Sequence, residues 1–81
     1  MQTYYFHLRD GTDVLLDPDG RLLPSHAAVE GAALFEARAI ISAEAKEGTI
    51  KFSQSIEVEN EAGEVIHSLA FTDAVQIRKA L

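Results

Sequence analysis

The chain has no cysteine, few cations and no long apolar run, and each shortage removes a class of activity. Without cysteine there can be no disulfide framework, thiolate zinc site or cysteine nucleophile, so the fold is held by apolar burial alone. That composition suits a reducing compartment. Seven Lys and Arg against thirteen Asp and Glu give a formal charge of −6, which repels polyanions and disfavours partnership with nucleic acid or an anionic membrane surface. The longest apolar-rich stretch is broken by Glu30, Glu36 and Arg38, well short of the roughly eighteen apolar residues of a membrane span. Met1 to Arg9 lacks the cationic head and apolar stretch of a secretory signal. The expectation is a cytoplasmic protein that binds neither nucleic acid nor membrane.

What is present is an ordinary globular balance, 47% hydrophobic and 25% charged residues in 81, enough for one domain spanning residues 1–81. Thr3 to Arg9 alternates, with Tyr4, Phe6 and Leu8 on one side and Tyr5, His7 and Arg9 on the other, the period of a half-buried strand. Asp10-Gly11 then signals a hairpin into a second strand at Asp13 to Leu16, which Asp17-Pro18-Asp19-Gly20 ends as a turn.

After Arg21-Leu22-Leu23-Pro24, Ser25 stands as an N-cap for a helix of about six turns that runs to Glu47 and closes at Gly48. Val29, Ala33, Leu34, Ala37, Ile40 and Ile41 form its apolar stripe, with Glu30 and Glu44 near the ends of that stripe. Beyond Gly48, Gln54 to Asn60 reads as a third strand, residues 60–64 as a hairpin loop, and Val65 to Phe71 as a fourth strand with His67, Val65, Leu69 and Phe71 on one face. The tail, Thr72 to Leu81, suggests one or two helical turns from Thr72 or Asp73, anchored by Ala74, Val75 and Ile77. The resulting fold class is α+β: a two-layer ββαββ antiparallel sheet with one long helix on one face and a short C-terminal helical tail. Two hairpins that pair through a second copy of the chain would fit the same elements.

Two surfaces stand out. On the side of the helix opposite the stripe, Ala28, Ala32, Phe35 and Ala39 form a partner surface short of charge and carrying one large ring. On the sheet face away from the helix, Tyr5, His7 and Arg9 form a ligand or partner face, with Glu57 or Glu59 as cross-strand partners for His7.

The sequence carries few groups in chemically productive spacing. Asp17-Pro18-Asp19-Gly20 resembles part of a calcium loop, but aligning Gly20 with the invariant loop glycine puts Leu15 at the first ligand position and His26 at the bidentate acidic one. His7, His26 and His67 are far apart in sequence, so any metal site must be assembled across elements with carboxylates. There is no Gly-rich phosphate loop and no G-x-S-x-G elbow, and the serines lack a recognisable general base. Neither an enzyme nor a resident cofactor or metal is expected.

Tyr4-Tyr5-Phe6-His7-Leu8-Arg9-Asp10-Gly11, the Ala-rich helix, residues 56–65 and the block Leu69-Ala70-Phe71-Thr72-Asp73-Ala74-Val75 together resemble a bacterial family of very short proteins catalogued as a domain of unknown function. Its pattern runs aromatic-Phe-His-Leu, Asp-Gly, Ala-rich helix, Val-x-Asp-x-x-Gly hairpin and Phe-x-Asp-Ala. Asn60 stands where that pattern commonly has an acid, and Ala70 where it has proline. The resemblance implies no activity, but it draws attention to His7. The leading expectation is a non-enzymatic interaction module that pairs with itself or another protein through the helix back or an open sheet edge. The alternatives are a small-ligand or metal-responsive sensor built around His7, and an acidic antitoxin-like partner of a basic protein.

Overall fold

In the computed structural model, which describes residues 1–80, the chain forms a five-stranded antiparallel sheet, one long helix and one helical turn. The elements are β1 (Gln2–Asp10), β2 (Asp13–Leu15), β3 (Arg21–Leu23), α1 (His26–Lys46), β4 (Gln54–Glu59), β5 (Val65–Ala70) and α2 (Phe71–Ala74). The α+β class follows from their order. β1 pairs with β4 within one chain, with Phe6 opposite Val58 and Leu8 opposite Ile56, so the two hairpins meet without a second copy.

β3 is a strand that the sequence does not announce. It is only three residues long and shows no alternation to count, yet β1 has nine residues and β2 only three. β2 pairs with Leu8, Arg9 and Asp10, and β3 with Gln2, Thr3 and Tyr4. The same edge of β1 is therefore completed by two short strands, leaving its middle, Tyr5 to His7, to the loop between them.

The helix forms where the capping residues place it. Ser25 is extended and its Oγ accepts the Ala28 N–H at 3.1 Å, satisfying one of the free donors of the first turn. At the other end Gly48 takes φ +91°, and its N–H and that of Thr49 donate to the carbonyls of Ala45 and Glu44, the paired bonds of a Schellman closure. Val29, Ala33, Ala37 and Ile41 are buried from α1 and pack with Phe6, Ile56, Val58, Phe71 and Ala74. Glu44, anomalous within the apolar stripe, accepts from Lys51 N–H and from the buried Gln54 amide, tying the end of α1 to the start of β4.

The C-terminal helix is one turn, the lower of the one or two expected, and it starts earlier than Thr72. It begins at Phe71, the last residue of the expected fourth strand, and ends at Ala74, where Val75 turns extended. Arg38 of α1 donates to the Ala74 carbonyl at 2.8 Å, taking the acceptor a further turn would use. Val75 packs on the core, but Ile77 is exposed and anchors nothing. Leu81, the end of the expected tail, lies outside the described residues.

Candidate functional site

His7 is buried, 6% exposed, which corrects the reading of Tyr5, His7 and Arg9 as an open sheet face. Its ring lies between the loop that joins β2 to β3 and Glu59 of β4. The Asp17 N–H donates to His7 Nδ1 at 3.0 Å, and the Asp17 carboxylate accepts the Phe6 N–H at 3.1 Å. Because Nδ1 accepts, the ring proton sits on Nε2, which faces Glu59 Oε1 at 3.4 Å. The cross-strand partner is one of the two acids expected. Arg9 pairs similarly with Glu57, Nε to Oε2 at 2.9 Å, although its N–H points off the carboxylate, and Tyr5 is half-buried.

The other Asp17 oxygen accepts the N–H groups of Asp19 and Gly20. Burial pushes this carboxyl up, but the N–H groups of Phe6, Gly20 and Asp19, aided by the Arg21 cation, outweigh it and hold it below its ordinary 3.8. Gly20 takes φ +68°, and a Cβ there would lie 2.8 Å from Thr3 Cγ2, 2.9 Å from Tyr5 Cε1 and 3.0 Å from the Tyr4 carbonyl oxygen. The loop lies directly against β1, with the Asp17 carboxylate turned to backbone donors. Asp-Pro-Asp-Gly thus completes a strand edge, and His7 is part of the same lock.

The helix surface divides more sharply than its sequence suggests. Ala28 and Ala32 are half-buried, with Ala32 against the core. Phe35 is 72% exposed and lies in a row with Gly31 and Ala39, each one turn apart and each exposed. Together with Leu34 and Arg38 these residues line a shallow hollow on the crest of α1. A second apolar area lies off the flank of the helix, where Glu36 meets Arg21 at 3.4 Å and the Arg21 guanidinium sits 4.5 Å from the centre of the Phe6 ring. Leu15 and Leu16, 69% and 65% exposed, rim a hollow of about 280 Å³ there.

The groups best placed for a cation are ones the sequence reading kept apart. His26 and Glu30, four residues apart on the first turns of α1, converge with His67 of β5, and their ligand atoms all lie within 4.8 Å of one another. The spacing of His26 and Glu30 and the placing of His67 on the helix-facing side of its strand were the available signals. Only the fold brings β5 under the start of the helix.

Asn60 also clarifies a departure from the family pattern. Its Oδ1 accepts the N–H groups of Ala62 and Glu64 at 3.0 and 2.9 Å, supplying within the β4–β5 loop an acceptor that an acid would equally provide. Among the described residues no helix is long and apolar enough to cross a membrane. No curated protein and no solved structure matches the chain. Residues 3–72 match the family model of a domain of unknown function, DUF6894, with the His7 strand, the Asp17 loop, the helix and the closing hairpin all inside the match, and the chain belongs to that family.

Proposed function

We propose that this protein is a small non-enzymatic cytoplasmic module that associates with a second copy of itself through the crest of α1. The observation that carries this reading is Phe35, 72% exposed between Gly31 and Ala39 on a helix otherwise well anchored. Covering a Phe side chain is worth about 1.5–3 kcal/mol, and a symmetric contact covers two. Small residues one turn to either side let a partner backbone approach, and rows of this spacing are the ridges that pack helix against helix.

Charge does not forbid a second copy at this surface. Two chains of −6 repel one another, but among Gly31, Leu34, Phe35, Arg38 and Ala39 the one charge is positive, so the crest brings no carboxylates together from that row. Small size adds a motive, since a domain near 80 residues has little stability to spare and gains from association. The non-catalytic part of the reading is supported by His7 and Asp17, whose polar atoms are engaged with backbone and neighbouring strand. The test is mass in solution by sedimentation equilibrium. The wild type should be dimeric at tens of micromolar and Phe35→Glu monomeric with unchanged circular dichroism, while Leu16→Glu should leave the dimer intact. A monomeric wild type, or a dimer that survives Phe35→Glu, would overturn the reading.

A further inference from the structure

We infer that His26, Glu30 and His67 form a binding site for a divalent transition metal of the zinc type, joining the start of α1 to β5. Two imidazoles and a carboxylate are a donor set suited to zinc, nickel or copper and poorly matched to magnesium or calcium, which prefer oxygen alone. His26 Nε2 and Glu30 Oε1 are 4.0 Å apart, too far for a hydrogen bond, so these groups lie near one another without being committed to one another. The His26 and His67 rings meet edge to face, with centroids 5.9 Å apart.

Closing on an ion requires little movement. Ligand atoms around a tetrahedral zinc with bonds near 2.0–2.1 Å lie about 3.3 Å from one another, against the 4.8 Å limit that encloses the three donors here. His26 and Glu30 are exposed and His67 half-buried, so rotation of two surface side chains onto a more firmly seated third closes the set. Three protein ligands leave a position for water. The positive end of the helix dipole opposes a cation at this place, whereas Glu30 and the net negative charge favour one. The site therefore binds reversibly, and occupancy by the metal in the folded state stabilises the fold by mass action. Nothing in this inference depends on how the helix crest is used.

The test is a titration of the untagged, metal-stripped chain with zinc, nickel and cobalt chlorides. Magnesium and calcium chlorides serve as references, and thermal unfolding and cobalt visible absorption are followed. Zinc and nickel should raise the melting temperature with a stoichiometry of one, magnesium and calcium should not, and cobalt should develop visible bands on binding. Loss of even an outer partner of a metal ligand weakens binding roughly 10- to 100-fold, so His26→Ala, Glu30→Gln and His67→Ala should each weaken zinc binding at least about tenfold. Should His67→Ala fail to fold, His67→Gln carries the same expectation. No response to zinc, nickel or cobalt, or zinc affinity unchanged in all the folded variants, would overturn the assignment.

Discussion

His7 and Asp17 hold each other through the backbone: the Asp17 N–H donates to the His7 ring, and the Asp17 carboxylate accepts the N–H of Phe6, the neighbour of His7. The middle of β1 lacks a strand partner on this edge because β2 and β3 stop on either side of it. The two bonds fill that gap with side-chain acceptors, which explains a buried histidine beside an acidic turn without invoking a ligand.

Replacing Asp17 should therefore destabilise the fold in a pH-dependent way. Asp17→Asn loses a charged acceptor and keeps only one carbonyl oxygen for three backbone donors, a loss of about 1–3 kcal/mol. The folded-state pKa is lowered, so the wild-type contribution is fully present above the ordinary 3.8 and disappears as pH falls through the lower folded value. Urea unfolding from about pH 6 down to about pH 2 should show wild type and Asp17→Asn converging in stability toward the acid end.

His7→Ala should weaken folding by about 1–3 kcal/mol by leaving the Asp17 N–H without its acceptor. His7→Asn, whose side-chain oxygen can stand near the position of Nδ1, should recover part of that loss. Denaturant midpoints for the two variants check this, and a zinc response retained in the folded His7→Asn variant would separate this histidine from the His26 and His67 pair.

Gly20→Ala meets two obstacles at once, positive φ and a Cβ pressed against Thr3, Tyr5 and the Tyr4 carbonyl. A left-handed non-glycine residue alone costs about 1–2 kcal/mol, so the melting temperature should fall clearly. Gly63→Ala, with positive φ but open space, should fall less.

Salt should strengthen self-association. Screening shortens the reach of repulsion between two chains of −6, so the dimer should tighten between low salt and about 0.5 M salt. Pairing with a basic partner, as an antitoxin-like role requires, would weaken over the same range, and sedimentation at the two ionic strengths distinguishes them.

Much of this fold can be read from local rules. The Ser25 cap, the Gly48 closure, the alternation of Gln54 to Glu59 and the apolar stripe of α1 each express a preference over a few residues. The sequence does not disclose what depends on neighbours brought from elsewhere. Three-residue β3 exists because β1 offers it an edge, and His7 is buried because a loop ten residues on folds back over it. Alternation placed His7 on the correct face but could not say what covers that face. His26, Glu30 and His67 come together only once β5 lies beneath the helix. Phe35 stood out among alanines in the sequence, and the structure leaves it on the surface while drawing Ala28 and Ala32 partly inward.

The most direct test of the central proposal is the concentration dependence of backbone amide shifts in the nitrogen-15 spectrum, from about 1 mM down to about 10 µM. Association through the crest predicts that Gly31, Phe35 and Ala39 shift together along one binding curve while the strands stay fixed. Spectra unchanged by dilution, or changes centred on Val14 to Leu16 or on β5, would contradict it.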